Sequence, residues 1–281
     1  MSDNPQAQPI PLEAKNPFEL RVDLGRDVPE TDIRTALATG DMGFVHSFTT
    51  GSTVDGPGVR VVAWLTGCQF RCVYCHNPDT WRMTNGVPVT VERAKAELGK
   101  YRHGLKMMKG GLTISGGEPL MQDRFVVKLF TTAQGMGIHT ALDSNGYLGD
   151  RLTDEELEKI DLVLLDIKAW DPELHRRVTG MEVGPVLDFA RRLAVQRRPV
   201  WLRYVLVAGL TDDPDEVTHV ADFTAKLGNV DRVDVLPFHQ MGAFKWKQLG
   251  LEYTLRDAEP PAREIVERVC AQFEAAGLKV Y

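Results

Sequence analysis

From about residue 43 onward the hydrophobic positions fall into two alternating rhythms. Short runs rich in β-branched and aromatic residues recur at VRVVAWLT (59 to 66), GLTIS (111 to 115), IHTALD (138 to 143), DLVLLDI (161 to 167), VWLRYVLV (200 to 207) and RVDVLPF (232 to 238). Bounded by turn-forming residues, these six runs predict strands. Between them apolar positions step by three and four, as in Val91, Ala94, Leu98 and Tyr101, or Phe125, Leu129 and Ala133. That spacing predicts helices with one buried face. Strands alternating with helices imply a parallel sheet with right-handed crossovers, and continuous apolar strands such as DLVLLDI suit a sheet covered on both faces. Six units close most of a barrel but fall short of eight, so the expected fold class is α/β, a partial (β/α)6 parallel barrel over residues 43 to 281.

Residues 1 to 42 break this rhythm. Prolines stand at 5, 9, 11, 17 and 29, and no apolar period is sustained apart from a short helix expected around ETDIRTALAT. The segment reads as a mostly irregular N-terminal extension. The 281 residues are 43% hydrophobic, enough for a packed core without disulfide staples. A net charge of -6, with 33 basic residues spread along the chain, forms no basic stripe, so neither nucleic acid nor an anionic membrane is expected as a partner. The first residues lack a basic segment followed by an apolar run, and nowhere do eighteen apolar residues run uninterrupted; a cytoplasmic location is expected. Four cysteines make a poor disulfide framework for a chain this long.

Polar residues collect where a parallel barrel gathers its chemistry, at the C-terminal ends of the strands. The first run leads into cysteines, the second into SGGEP, and the third into DSNG. The fourth ends with Asp166 and Lys168, the fifth contains Arg203, and the sixth ends at Pro237 and His239.

Cys68, Cys72 and Cys75 form C-x3-C-x2-C, three of the four cysteines in one compact loop. Three readings are open. CVYCH matches the c-type haem attachment pattern, whose chemistry belongs mostly to exported proteins. Three thiolates plus His76 make a Cys3His zinc set, although zinc domains usually split their ligands into separated pairs. A 4Fe-4S cluster takes four cysteines as a rule, so three leave one iron open to an outside ligand.

C-x3-C-x2-C with an aromatic residue, Tyr74, before its last cysteine resembles the motif of radical S-adenosylmethionine (SAM) enzymes. ISGGEP, with Ser115, Gly116, Gly117 and Glu118, looks like their SAM-amino-group motif. The resemblance is closer to one branch, the pyruvate formate-lyase activating enzymes: TVDGPGVR, CHNPDTW, YRHG, LDSNG, LLDIK, LRYVLV and GNV…LPFH…KW follow in order over residues 43 to 281. It implies a 4Fe-4S cluster held by the three cysteines, its open iron chelating SAM. One electron, from flavodoxin or ferredoxin, cleaves SAM to methionine and a 5′-deoxyadenosyl radical, which removes a Cα hydrogen from a glycine of pyruvate formate-lyase. By the same resemblance Tyr74, Ser115, Gly116, Gly117, Glu118, Lys168, Arg203 and His239 belong to the SAM pocket, the glycines offering close approach and free amides. Asp143, Ser144 and Asp166 would hold a monovalent cation; the family has Thr where Ser144 stands and Met where Leu164 stands. Asp55 would contact the partner's glycine loop.

Each residue also has a plainer reading. Gly116-Gly117 and Asp55-Gly56 are ordinary turn pairs, Lys168 and Arg203 ordinary ion-paired charges, and His239 a structural histidine. Cys270, among Ile265, Val269 and Phe273 on a C-terminal helix pattern, reads as a buried small hydrophobe outside the site. Rival functions are activation of another glycyl radical enzyme, such as a diol dehydratase or the anaerobic ribonucleotide reductase, and a zinc-stabilised binding module. Against the diol dehydratase activases stands the lack of any cysteine between residues 76 and 269, where a ferredoxin-like insert would carry them.

Overall fold

The structure, a computed structural model, describes residues 33–281. The expected irregularity of residues 1–32 lies outside the described residues; α1 (Ile33–Thr39) is the part of the predicted short helix within them. Eight strands form one sheet: β1 (Met42–Ser52), β2 (Arg60–Leu65), β3 (Val87–Thr90), β4 (Gly111–Gly116), β5 (His139–Ser144), β6 (Leu162–Asp166), β7 (Val200–Leu206) and β8 (Val230–Pro237). Their order is β3-β1-β2-β4-β5-β6-β7-β8. From β2 to β8 every pairing is parallel, and these are the six predicted strands. The sheet curls into a barrel left open between β3 and β8.

Sequence periodicity misses β1 and β3, which extend the sheet antiparallel at one end. MGFVHSFTTGS mixes glycine and polar residues into its apolar positions, and VPVT is four residues long with a proline inside. Proline is tolerated in β3 because an edge strand need not donate on its outer side.

Strand residues alternate between two layers. Outward-facing Val61, Ala63, Leu65, Leu112, Ile114, Val163 and Leu165 join the main core with Leu98 of α2 (Val91–Met107) and with Phe125 and Leu129 of α3 (Asp123–Gly135). Inward-facing Ala141, Leu162 and Leu164 form a separate small cluster with Trp201. Both faces of β6 are therefore buried, which is why its sequence is apolar without alternation.

The remaining helices are α4 (Asp154–Leu157), α5 (Pro172–Thr179), α6 (Gly184–Val195), α7 (Pro214–Leu227), α8 (Ala243–Gln248) and α9 (Arg263–Ala275). Two of them start and stop by the same local chemistry. Asp171 and Asp213 each accept from two main-chain amides of the first turn, a proline follows at the first helical position, and Gly180 and Gly228 end the helices at φ 78 and φ 71. Val269 and Phe273 of α9 are buried, whereas Cys270 beside them is only half-buried, less enclosed than expected. Among the described residues no helix is long and apolar enough to cross a membrane.

Candidate active site

Parallel pairing brings the strand-end charges together at the barrel mouth. Asp143 is paired in register with Leu164, and Asp166 with Arg203, so the two carboxylates occupy adjacent strands. Asp143 Oδ2 accepts from Ser115 Oγ at 2.6 Å and from Arg203 Nη1 at 2.9 Å. Lys168 Nζ lies 2.9 Å from Asp166 Oδ1. Asp143 holds the Arg203 guanidinium above its ordinary value against the opposing effect of burial. Burial pushes the Asp166 carboxyl up while Lys168 pulls it down; for Lys168 burial works downward and the Asp166 charge outweighs it. The repulsion between the two carboxylates is thus relieved by Arg203 and Lys168. The hydroxyl of Ser144 turns elsewhere, donating to Glu118 Oε1 at 2.9 Å.

Glu118 is fully buried and both of its oxygens are engaged. Oε1 also accepts from Leu120 N at 3.0 Å, and Oε2 accepts from Asn145 N at 2.8 Å. Burial pushes its carboxyl up to about 7, against these donors. Its contacts tie the SGGEP turn to the DSNG turn. The glycines are required for a related reason: a Cβ on Gly116, whose φ is +125, would lie 2.1 Å from Leu65 O, and one on Gly117 would lie 2.4 Å from Gly67 O. The expectation of free amides is corrected here. Gly117 N donates to Leu65 O at 2.9 Å and Glu118 N to Gly67 O at 2.7 Å, because the close approach these residues permit is to the end of β2 and the turn leaving it.

That turn leads into the cysteines, and main-chain bonds hold the loop from both sides. Cys68 N donates to Trp81 O at 3.2 Å, Arg71 N to Thr179 O at 2.7 Å and Val73 N to Val178 O at 2.9 Å. The indole of Trp246 on α8 donates to Cys75 O at 2.8 Å. Tyr74 is buried against Val178, Val207 and Phe238, with Lys168 Nζ 5.7 Å from its ring centroid. His239 stacks on His76 at 4.2 Å, and His76 Nε2–H donates to the His239 carbonyl at 3.2 Å. Asp55 lies apart from this mouth by sequence yet is buried inside the barrel; Ser52 Oγ donates to its Oδ2 at 2.5 Å and Thr113 Oγ1 to its carbonyl at 2.6 Å. Burial pushes the Asp55 carboxyl up, with Asp143 adding to the rise and Arg203 opposing it.

Several contributors escape sequence reasoning. Arg60, fully buried, donates from Nη1 to Pro57 O at 3.2 Å and from Nε to Thr113 Oγ1 at 2.9 Å, anchoring the Asp55 loop. Gln122 accepts from Phe44 N at 2.6 Å and donates to Thr66 O at 2.9 Å, joining β1 to the exit of β2. Asp79 takes Lys245 at 3.0 Å and His46 at 3.1 Å. Only the unusual arginine beginning an apolar strand, at residue 60, signals any of this in the sequence.

Three neighbouring thiols with no fourth cysteine in the loop fit a 4Fe-4S cluster that keeps one iron open. Among the described residues no three His, Cys, Asp or Glu side chains converge on one ion, and His76 directs its Nε2 to the His239 carbonyl. Burial pushes the Cys68, Cys72 and Cys75 thiols up, Cys72 to about 12 despite the pull of Lys168. Thiolates in such a loop need positive metal centres beside them, which a bound cluster provides.

Comparison with known proteins bears on the same residues. The model of the Radical SAM superfamily matches residues 62–221. The pyruvate formate-lyase 1-activating enzyme of Escherichia coli (strain K12) is 43% identical over 241 residues, covering 85% of this chain and 98% of that protein. The pyruvate formate-lyase-activating enzyme of Staphylococcus aureus (strain USA300) is 44% identical over 232 residues, 80% of this chain and 92% of that one. A radical SAM methyltransferase from Sphaerobacter thermophilus shares the fold at a TM-score of 0.56 and 18% identity, over 91% of this chain and 81% of its own. With its three thiols at the mouth of an open parallel barrel and identity of this extent along nearly the whole length of those enzymes, the chain belongs to the radical SAM superfamily and, within it, to the pyruvate formate-lyase activating enzymes.

Proposed function

We propose that this chain is the activase of pyruvate formate-lyase, using SAM to install a glycyl radical in that partner. The observation that carries this reading is the C-x3-C-x2-C loop set at the same barrel mouth as the Asp143–Arg203 and Asp166–Lys168 pairs. Cys68, Cys72 and Cys75 would hold a 4Fe-4S cluster, leaving one iron without a protein thiolate. When bound, the cluster and SAM supply one-electron cleavage of a sulfonium bond and removal of a hydrogen atom from a glycine Cα.

The chain's own residues bind, orient and shield. Arg203 and Lys168 present cations to a carboxylate or to ribose oxygens; Asp143 and Ser115 suit a substrate ammonium. Tyr74 and His239 wall the cysteine loop, while Glu118 sets the shape of two turns that line the mouth. Asp55, held inside the barrel by Ser52 and Thr113, stands where a glycine-bearing loop would enter. A monovalent cation belongs to the same reading, drawing on Asp143 and Asp166, since the Ser144 hydroxyl is committed to Glu118. The electron would come from a flavodoxin or ferredoxin, and the free thiols suit the reducing cytoplasm.

The test is anaerobic incubation of the iron-reconstituted chain with SAM, a reductant and pyruvate formate-lyase, followed by EPR. A glycyl radical on the partner is expected. Clean SAM cleavage with no radical on pyruvate formate-lyase, but one on a diol dehydratase or ribonucleotide reductase, would move the assignment to that partner.

A further inference from the structure

Asn145 sits directly after β5 and is 6% exposed. Its side-chain oxygen accepts from Tyr147 N at 3.0 Å and from Gln69 Nε2 at 3.1 Å. A main-chain amide can only donate, so Tyr147 settles which end of the Asn145 amide is oxygen. The other end, Nδ2, then lies 3.9 Å from Cys68 Sγ, within the reach of an N–H to sulfur hydrogen bond. The backbone beneath it is pinned as well: Asn145 N donates to Glu118 Oε2 at 2.8 Å, and Ser144 Oγ accepts from Gly146 N at 2.9 Å while donating to Glu118. Its amide is therefore aimed at the sulfur by two hydrogen bonds on its oxygen and a pinned backbone, and is not a surface group that meets it by chance.

We infer that Asn145 acts on the reaction through Cys68, donating its Nδ2–H to the thiolate of a bound iron-sulfur cluster and making that cluster easier to reduce. The inference rests on the cluster reading of the cysteine loop. Adding one electron makes the cluster and its thiolates more negative, and a fixed N–H dipole pointed at one sulfur stabilises that added charge. Hydrogen bonds to sulfur are among the factors that set the potentials of such centres, and a donor beyond the ligands is a common means of tuning a metal. Because SAM chemistry here begins with an electron entering the cluster, Asn145 governs how readily that first step proceeds. It is a positioning and tuning residue, since it touches a ligand and not the reacting atoms. Glu118 and Gln69 support it, so the GGE motif reaches the cysteine loop through Asn145 as well as through its own backbone contacts.

The experiment is an anaerobic redox titration of the full-length reconstituted chain without SAM, with dithionite as reductant, mediators present and EPR as the readout. Wild type is compared with Asn145→Ala and Asn145→Ser; the serine hydroxyl can still accept from Tyr147 N and keep the turn, but it does not reach Cys68. Both variants are expected to bind iron and sulfide as wild type does, and to show a reduced-to-oxidised ratio about tenfold lower at the wild-type midpoint, equivalent to about 59 mV for a one-electron couple. Unchanged potentials in fully loaded variants would overturn the inference. So would loss of iron from both variants, which makes Asn145 a scaffold residue. Wild-type protein that takes up no iron or sulfide overturns the cluster reading itself, a separate outcome of the same measurement.

Discussion

Cys68, Cys72 and Cys75 differ from Cys270 above all in the charged company they keep. The loop that carries the first three lies beside Lys168 and Asp166 at the end of β6, whereas Cys270 sits on α9 with Glu267 and Glu274 as its charged neighbours. Replacing any of the three by Ala is expected to abolish stable cluster loading, because two thiolates are too few to hold it. Cys270→Ala should load normally; iron and sulfide analysis of the four proteins distinguishes them. Asp143 and Asp166 are different in kind, being paired with Arg203 and Lys168 and standing outside the set of cluster ligands. Asp143→Asn and Asp166→Asn should keep the iron content of wild type and weaken SAM binding at least tenfold, about 1.4 kcal/mol. Equilibrium binding to the reconstituted variants checks this, and wild-type affinity in both would return the aspartates to ordinary strand-end residues. Ion dependence of SAM cleavage after desalting tests the proposed cation separately.

At the scale of elements, the cysteine loop depends on a strap that arrives from the far end of the sheet. Residues 239 to 248 reach it through the His239–His76 stack, the Trp246–Cys75 hydrogen bond and Lys245, whose Nζ donates to Asn77 Oδ1 at 2.8 Å and Asp79 Oδ1 at 3.1 Å. Burial alone would raise the Asp79 carboxyl, but hydrogen bonds and charge from His46 and Lys245 outweigh it and hold it below its ordinary value. The native state therefore binds fewer protons here than the unfolded chain. Stability from Asp79 is complete above the ordinary value of 3.8 and is lost as pH falls through the lower native value. Asp79→Asn should cost about 1.5–3 kcal/mol at neutral pH. That difference should shrink below about pH 4 in urea unfolding curves measured across the pH range. A difference independent of pH would mean that packing, and not charge, joins strap and loop.

For the whole molecule, an open barrel leaves two sheet edges to be managed. One ends in the short, proline-bearing β3; the other is covered by the chain's last residues, where Val233 N donates to Lys279 O at 2.8 Å and Tyr281 N to Val233 O at 3.0 Å. The Arg232 guanidinium lies 4.4 Å from the Trp201 ring centroid and 4.5 Å from that of Tyr281, closing the same edge with side chains. Removing residues 278 to 281 should bare β8, lower the melting temperature and promote self-association, an exposed strand edge being a template for pairing. Thermal melts with light scattering test it; an unchanged melting point and a monodisperse truncated protein would show that the tail is dispensable.

Short apolar runs between helical stretches were enough to specify the six parallel strands, because burial on one face forces alternation and burial on both forces a continuous apolar run. The cysteine spacing, SGGEP and the strand-end charges were legible for a similar reason, as their chemistry depends on residue type at short range. β1 and β3 were not, since Gly43 and Ser47 interrupt the apolar pattern of β1, and β3, an edge strand, is short and carries Pro88. Nor could one dimension reveal that Glu118 faces inward to Ser144 and Asn145, that the amides of Gly117 and Glu118 are spent on β2 and its exit, or that Lys245 braces residues 166 to 168 positions away. Local pattern and motif chemistry, which act over a few residues, were determined by the sequence alone. Which polar group meets which was decided only when the barrel closed far enough to bring distant strand ends within hydrogen-bond range and, by burying them, made every unpaired donor or acceptor costly.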